Sequence, residues 1–348
     1  MRSYYTQIIA LLSLSFTLLL SGCGSAEEIL KISGSTMGTE YHISWVSQHA
    51  KQSKRVEEQQ KLQRLVDQTL VNINKSMSTY DPESELSRLN QSYKTDWQNI
   101  SADLYQVLMM SMQLNQQSEG AFDITVGPLV NLWGFGPTKS SGKVPEKNEI
   151  KMALTSVGSD VIHLRKKGER FELKLLAPRY MDLSAIAKGY GVDVVGRLLQ
   201  EQGIKHYLVE IGGEIIAHGH KPQNKPWRIA IEAPNDDGRS AQIIIPLSEM
   251  GIATSGDYRN FFEQNGQRFS HTIDGRTGYP VSHKLASVSV LHTSVAMADA
   301  WATALTVLGV DAGLQLAEDY NMAAYFIVRT DAGFEQRSSS HFEQLRLN

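Results

Sequence analysis

The chain of 348 residues is 41% hydrophobic and 20% charged, which is enough to bury a large core in one domain or in two intimately joined lobes. Its 34 lysine and arginine residues are balanced by 37 aspartate and glutamate residues, and no basic run is interleaved with aromatic side chains, so the sequence gives no sign of a nucleic-acid-binding surface. The single cysteine excludes an intramolecular disulfide.

The first 22 residues have the organisation of an export signal. Arg2 precedes an apolar run from Ile8 to Leu20, which is too short to span a bilayer comfortably. The sequence Leu20-Ser21-Gly22-Cys23 then resembles the bacterial lipobox, in which the cysteine is lipidated and becomes the N-terminus. We therefore predict a signal peptide over residues 1–22, a lipidated Cys23 with a tether over residues 23–28, and a globular domain over residues 29–348. A cleaved ordinary signal peptide with an incidental cysteine is the alternative.

The globular part begins with two predicted strands, Ile29 to Ser33 and Tyr41 to Val46, on either side of the turn Gly34 to Thr39. Apolar residues at a 3.6-residue period then predict a helix from Leu62 to Met77. A second amphipathic helix is predicted to begin after Ser101, which has the side chain of a good N-cap.

The second half of the chain carries short elements that follow one another irregularly. A helix is predicted from the region of Asp182 to a stop near Gly203. Later elements are predicted as strands at Tyr207 to Ile211, Trp227 to Glu232, Gln242 to Pro246 and Ala286 to His292, a helix at Ser294 to Leu308, a further helix, and a last strand at Ala323 to Val328. Because these elements do not alternate as successive βαβ units, the sequence predicts an α+β fold with mixed or antiparallel sheets packed with helices.

Glycine-rich stretches at Gly120 to Pro137, Gly251 to Gly256 and around Gly278 are predicted as loops whose backbone amides approach phosphates or a flat ring. The known phosphate-binding signatures are missing, since the spacing from Gly136 to Lys143 does not fit a Walker motif. His218 and His220 are candidate ligands on one strand face, although two histidines beside a turn are more often exposed to solvent.

The helix from Ser294 to Leu308 is apolar at nearly every position except for Asp299 in its middle. A buried carboxylate must be protonated, paired with a base or bound to a cation. Thr303 lies one turn further on the same face, and a carboxylate with a hydroxyl forms half of a site for a hard cation such as Mg²⁺. An ion pair between Asp299 and a lysine or arginine from another element is the alternative.

The stretch from Ser270 to Pro280 places His271, Asp274 and Arg276 within one short segment. A solvated surface hairpin is the ordinary explanation of such a segment, because Asp-Gly is a common turn dipeptide.

Together these segments resemble the FAD:protein FMN transferase family, also called ApbE or Ftp. The matching stretches run in order from about residue 30 to the end of the chain: Gly34 to Thr39, Ser78 to Tyr80, Gly120 to Pro137, Asp182 to Tyr190, Val209 to Glu214, Gly251 to Phe261, Ser270 to Pro280 and Ala298 to Thr303. The resemblance implies an ApbE-like fold with FAD in the cleft between the lobes. It also implies a Mg²⁺-dependent transfer of the FMN half of FAD to a threonine hydroxyl of an acceptor protein, with release of AMP.

The resemblance also implies the binding residues. The predicted flavin contacts are Met37, Tyr80, Ala121, Phe122, Asp123, Asp182, Lys188 and Ile273, and the matching stretch at residues 251–261 adds Ser255 and Gly256. The Mg²⁺ ligands implied are the Ala185 carbonyl and the side chains of Asp299 and Thr303. Ala302 stands where some members carry a second aspartate, so one carboxylate fewer and one water more are expected around the metal.

Three residues are predicted to act in the transfer itself. A threonine hydroxyl is a poor nucleophile near pH 7, and His271 is the candidate base because imidazole titrates in that range. Asp274 either orients the imidazole or caps the turn. Lys188, or alternatively Arg259, is expected to help stabilise the leaving AMP.

Two other functions compete with flavin transfer. Water in place of threonine would make the protein an FAD pyrophosphatase that yields FMN and AMP, and a protein without either activity would be a flavin-binding lipoprotein. The acceptors implied by the resemblance are redox subunits of membrane NADH:quinone reductase type complexes. We expect the protein to be anchored on the periplasmic side of the inner membrane, with the outer membrane as the alternative.

Overall fold

The computed structural model describes residues 27–92, 94–137, 143–234, 241–256 and 260–347. In the first half of the chain the elements are β1 (Glu28–Thr36), β2 (Thr39–Ser47), α1 (Gln52–Met77), α2 (Glu85–Asn90), β3 (Gln98–Ile100), α3 (Ala102–Gln117), α4 (Gly127–Leu132), α5 (Lys147–Leu154), β4 (Ile162–Lys167) and β5 (Arg170–Leu175). In the second half they are α6 (Ala187–Glu201), β6 (Tyr207–Ile211), β7 (Glu214–His218), β8 (Trp227–Glu232), β9 (Ala241–Leu247), β10 (Met250–Gly256), β11 (Phe261–Gln264), β12 (Gln267–Ser270), β13 (Ile273–Asp274), β14 (Tyr279–Pro280), β15 (Leu285–His292), α7 (Val295–Leu308), α8 (Val310–Asp319), β16 (Ala323–Thr330), β17 (Gly333–Ser338) and α9 (Ser340–Leu347).

A large sheet of eight strands organises the fold, in the order β1-β2-β6-β7-β10-β15-β16-β17. Each neighbouring pair in it is antiparallel. The prediction of an α+β fold with antiparallel sheets is confirmed.

Both faces of this sheet are covered, as β16 shows. Its residues alternate between two apolar clusters: Ala324 and Phe326 belong to the cluster that includes residues of α1, α3, α6 and α7, whereas Tyr325 and Ile327 belong to the cluster formed with β8, β9 and α9. Burial on both faces explains why this strand reads as a continuous apolar run rather than as an alternating one.

A third, smaller apolar cluster joins two of the glycine-containing stretches. It centres on Trp133 and includes Leu129, Ile150 and Ile273. Trp133 Nε1 also donates a hydrogen bond of 2.9 Å to the Gly278 carbonyl oxygen, so the segment at 120–137 is fixed against the segment at 270–280.

The predicted N-cap Ser101 is confirmed, and α7 has caps at both ends. The Ser101 side chain accepts from Leu104 N at the start of α3, and the Ser294 side chain accepts from Met297 N at the start of α7. Gly309, at φ 79°, ends α7.

The prediction of a loop at Gly251 to Gly256 is wrong, because these residues form β10 in the middle of the large sheet. Gly251 is needed there for close packing: a Cβ on it would lie 2.3 Å from Val295 Cγ2 and 3.0 Å from the Ile215 carbonyl oxygen. The strand at Ala323 to Val328 is also not the last element, since β17 and α9 follow it.

Among the described residues, no helix combines the length and apolar character required to cross a membrane. The predicted signal peptide and Cys23 lie outside the described residues.

Candidate functional site

A cavity of about 1000 Å³ opens where the segments 121–135 and 260–273 meet α6, α7 and the strands β2, β6, β7 and β10 of the large sheet. Thirteen of the residues predicted from the sequence line it: Tyr80, Ala121, Phe122, Asp123, Asp182, Ala185, Lys188, Ser255, Gly256, His271, Ile273, Asp299 and Thr303. They come from six separate stretches of the chain, so the fold brings together residues up to about 220 positions apart.

Two predicted site residues do not line this cavity. Met37 occupies the turn between β1 and β2, where it has a φ of 49°, and it packs against the main apolar cluster. Thr39, two residues later, does line the cavity. Asp274 is the other, and Arg259 falls outside the described residues.

The chemical centre of the cavity is a lysine between two buried carboxylates. Lys188 Nζ lies 2.6 Å from Glu214 Oε1 and 3.9 Å from Asp299 Oδ2. Glu214 is 3% exposed and Asp299 is 6% exposed. The ammonium is hydrogen-bonded to Glu214 and reaches Asp299 only through a longer contact.

These three groups shift one another's pKa values. Burial raises the pKa of Glu214 to about 7, against the opposing effect of the Lys188 charge. Burial also raises the pKa of Asp299, again opposed by Lys188. For Lys188, burial acts to lower the pKa, but the charges of Asp299 and Glu214 outweigh it and the pKa is raised. One ammonium cannot neutralise two carboxylates, so the positive charge that is missing must come from a proton or from a bound cation.

The oxygen atoms around Asp299 suit a hard divalent cation. Asp299 Oδ2 accepts a hydrogen bond of 3.1 Å from Gly189 N, which fixes the carboxylate, while no described hydrogen bond involves Oδ1. Thr303 follows one turn later on α7, and both residues line the cavity together with Ala185. A carboxylate, a hydroxyl and a carbonyl are the donor types that Mg²⁺ accepts, and the missing positive charge fits the same ion. The alternative was an ion pair between Asp299 and a lysine or arginine. Lys188 lies near Asp299, at 3.9 Å, but its hydrogen bond is made to Glu214.

His271 is held at the cavity wall by one ring nitrogen. Its Nδ1 lies 3.0 Å from the Asn260 carbonyl oxygen. Because a carbonyl oxygen only accepts, Nδ1 carries the hydrogen, and Nε2 of the neutral ring is the acceptor. The ring also lies edge-on to Phe135 at 6.3 Å between centroids. This tautomer is the one that a general base at Nε2 requires.

Asp274 is occupied by the turn that follows it. Oδ1 accepts from the backbone N and the Nε of Arg276, and Oδ2 accepts from Arg276 Nη2, each at 2.9 Å. The Asp274 carbonyl oxygen accepts from Gly278 N at 2.8 Å. Of the two roles left open for Asp274, this geometry favours the turn cap over the orientation of His271.

Asp123 and Asp182 line the cavity as parts of rigid turns. Asp123 Oδ1 accepts from Thr125 N, Thr125 Oγ1 and Ser159 Oγ at 2.6 to 2.7 Å. Asp182 Oδ1 accepts from Ser184 N at 2.9 Å and from Ser184 Oγ at 2.5 Å. Tyr80, in contrast, is 68% exposed and offers an uncovered aromatic face at the cavity.

Sequence analysis missed Glu214 as a site residue. It stands directly after Gly212-Gly213, which have φ values of 62° and 104°, so the local sequence reads as a polar turn. The turn instead makes Glu214 the first residue of β7, facing a lysine 26 positions away in sequence. Two signals were available: Glu214 is an acidic residue before the apolar residues 215–217, and it ends the matching stretch Val209 to Glu214.

Comparisons with known proteins identify the family of this chain. The model of the ApbE family matches residues 37–326. The FAD:protein FMN transferase of Haemophilus influenzae is 44% identical over 344 residues, which cover 97% of each chain. Among solved structures, the flavin transferase ApbE from Vibrio cholerae has 44% sequence identity and a TM-score of 0.81, over 92% of this chain and 99% of that one. The flavinyl transferase ApbE of Pseudomonas stutzeri has 38% identity and a TM-score of 0.82, over 92% and 97% of the two chains. This chain therefore belongs to the ApbE family.

Proposed function

We propose that this protein is an FAD:protein FMN transferase that moves the FMN half of FAD onto a threonine hydroxyl of an acceptor protein and releases AMP. The observation that carries the proposal is that all the predicted metal positions and all the predicted flavin positions except Met37 line one cavity of about 1000 Å³. That volume lies at the upper end of the range for ligand pockets, as a dinucleotide requires. The high identity to proteins named FAD:protein FMN transferase supports the same activity.

The metal part of the proposal is that Asp299, Thr303 and the Ala185 carbonyl hold Mg²⁺. When bound, this ion supplies positive charge against the diphosphate of FAD. Lys188 is the protein's own cation at the same place, and in the transfer we assign it to the phosphate oxygens nearest the leaving AMP. Exclusion of water by the cavity walls strengthens such charge interactions.

We assign His271 as the base that accepts the proton of the threonine hydroxyl. In the step, the threonine oxygen bonds to the phosphorus of the FMN half, the bond from that phosphorus to the bridging oxygen breaks, and AMP leaves with the bridging oxygen. The hydroxyl proton passes to His271 Nε2, the ring nitrogen that carries no hydrogen when Nδ1 donates to the Asn260 carbonyl oxygen. The remaining cavity residues hold the flavin so that attack and departure are in line.

One assay separates this function from its two competitors. The full chain is incubated with FAD, Mg²⁺ and a candidate acceptor domain, and the products are run on a denaturing gel and by chromatography. A fluorescent acceptor band together with AMP is expected. Free FMN and AMP without a labelled acceptor would show an FAD pyrophosphatase, and intact FAD would show a flavin-binding protein without either activity.

We also propose that a lipid on Cys23 anchors the protein on the periplasmic side of the inner membrane, close to redox subunits of NADH:quinone reductase type complexes. The lipobox-like Leu20 to Cys23 supports the anchor. Metabolic labelling with a fatty acid and membrane fractionation test it. Incorporation of label that disappears in Cys23→Ala is expected, and a wild-type protein without label would refute the anchor.

A further inference from the structure

Lys188 occupies a position where it can compete with a metal ion. Its Nζ is 3.9 Å from Asp299 Oδ2, so a small rotation of the side chain would bring the ammonium into hydrogen-bonding contact with the carboxylate that we assign to the metal. In the structure it does not make that contact. It makes a hydrogen bond of 2.6 Å to Glu214 instead.

The hairpin between β6 and β7 guides the lysine toward Glu214. A Cβ on Gly212 would be 3.4 Å from Lys188 Cδ, so the lysine stem runs along the glycine turn. The same turn presents Glu214 at the start of β7, where it is almost fully buried. The lysine is therefore held on one side by backbone packing and at its tip by a carboxylate.

The remaining oxygen atoms have few partners. Glu214 Oε2 has no hydrogen-bond partner among the described residues, and Asp299 is held by Gly189 N through Oδ2. Glu214 thus uses one oxygen to accept from Lys188, and Asp299 keeps Oδ1 for another group. This division is what a site needs if a lysine and a divalent cation are to be bound side by side rather than in turn.

We propose that Glu214 is a positioning residue that holds the Lys188 ammonium away from Asp299 and so keeps that carboxylate available to the divalent cation. The inference rests on the metal site of the proposed function and adds to it a role for a residue outside the metal ligands. Without Glu214, the lysine is expected to pair with Asp299, and a metal would have to displace it.

A double-mutant cycle on metal binding tests this proposal. Mn²⁺ alone is titrated into the full chain freed of flavin and metal, free Mn²⁺ is measured by electron paramagnetic resonance, and Mg²⁺ is then used to displace it. Glu214→Gln should weaken Mn²⁺ binding by about tenfold or more, the usual effect of losing a partner that orients a metal site. In the background of Lys188→Met, which has no ammonium to misplace, the same substitution should change the affinity by less than about twofold.

A purely electrostatic role of Glu214 gives a different result. If its charge attracted the metal directly, Glu214→Gln would weaken binding in both backgrounds, and that outcome overturns the proposal. An unchanged affinity in the wild-type background overturns it as well. A wild-type protein that binds no Mn²⁺ would instead remove the metal site of the proposed function, which separates the two failures.

Two further variants keep the test clear of folding defects. Glu214→Asp keeps the charge but withdraws the carboxylate from Lys188, so it should weaken Mn²⁺ binding as Glu214→Gln does. Glu172→Gln is the matched control, because Glu172 is also buried and bonded to a cation, Arg165 at 2.5 Å, but does not line the cavity. Its Mn²⁺ affinity should equal that of the wild type.

Discussion

The carboxylates of Asp193 on α6 and Asp299 on α7 lie at the contact between these two helices but differ in the number of hydrogen bonds that they accept. Asp193 is fully engaged: it accepts from Ser294 Oγ at 2.7 Å, from Val295 N at 2.8 Å and from Ala296 N at 3.1 Å, all at the start of α7. Asp299 lies on α7 itself, beyond its first turn. Among the described groups it accepts a hydrogen bond only from Gly189 N, and it lines the cavity. For Asp193, hydrogen bonds offset the free-energy cost of removing the carboxylate from water. For Asp299 they offset only part of that cost, and a bound ligand would offset the rest.

This difference is the one expected between a structural carboxylate and a carboxylate that binds a ligand. Asp193 fixes α7 against α6 and thereby sets the distance between Lys188 on one helix and Asp299 on the other. The position of Asp299 relative to Lys188 therefore depends on this contact between the helices. Removal of the Asp193 carboxylate should mainly lower stability, whereas removal of the Asp299 carboxylate should mainly lower the rate of transfer.

The largest effect is expected at Asp299. Asp299→Ala should lower Mg²⁺-dependent flavin transfer by about 10³-fold, the scale on which the loss of one preorganised charge contact acts. Its free energy of unfolding should stay within about 1 kcal/mol of the wild type, because a buried and poorly bonded carboxylate is removed. Initial rates of acceptor labelling measure the transfer, and equilibrium urea unfolding measures the free energy of unfolding. Unchanged transfer in this variant would remove the metal site.

The next effect is expected at His271. His271→Ala should lower transfer by about 10²-fold to 10⁴-fold, the usual contribution of a general base, while FAD still binds. Flavin fluorescence titration checks the binding and labelling rates check the transfer. The control is His218→Ala, since His218 bonds to Glu249 at 2.7 Å and does not line the cavity. Near wild-type transfer by His271→Ala with FAD bound would show that the base is another group.

The third effect is a pH dependence that comes from Glu214. Burial raises its pKa from 4.5 to about 7, so in metal-free protein the folded state holds this proton more tightly than the unfolded state. The stability that results is fully present below pH 4.5 and is lost as the pH rises through 7, by up to about 3 kcal/mol.

Urea unfolding in EDTA at pH 5 and pH 8 checks this dependence. The wild type should lose more stability between these pH values than Glu214→Gln, which has no carboxylic acid at this position. Equal losses in the two proteins would mean that Glu214 does not carry the proton.

Part of the fold could be predicted because local patterns decided it. The helix α7 followed from an apolar run with Ser294 before it and Gly309 after it, and these caps hold in the structure. The strand β10 could not be predicted in the same way. Its glycines indicated a loop, but Gly251 is there to let α7 approach the sheet, and that contact lies 44 positions away in sequence.

The candidate site was predicted from segments that resemble a known family, and the structure brings most of them to one cavity. Glu214 was missed because its role depends on a pairing that no local pattern records: the register of β6 with β7 and the placement of α6 beside them. Asp193 was missed for a related reason, since a carboxylate inside a helix reveals its target only once a second helix starts beside it.

The fourth effect is expected at Asp193. Asp193→Ala removes three hydrogen bonds at the start of α7 and should lower the free energy of unfolding by about 2 kcal/mol, the upper range for the loss of a helix cap. At a temperature where the variant is folded, transfer should fall much less than in Asp299→Ala. Asp193→Asn, which keeps one acceptor oxygen, should be intermediate in stability. A variant as inactive as Asp299→Ala, yet as stable as the wild type, would contradict the structural role.

The smallest effect is expected at Asp274, whose two oxygens are taken by Arg276. If Asp274 only caps the turn, Asp274→Ala should cost about 1 kcal/mol of stability and less than tenfold in transfer, because a partly exposed ion pair contributes little. Arg276→Ala should cost less, because the bond from the backbone N of residue 276 to Asp274 Oδ1 remains, and the double variant should lose little more than Asp274→Ala, since the aspartate takes part in both interactions. If Asp274 instead orients His271, only the aspartate variant would fall by about 10²-fold and shift the pH dependence of transfer. The pair of variants therefore decides between a carboxylate whose hydrogen bonds are all made within the protein, as for Asp193, and one that serves the reaction, as we propose for Asp299.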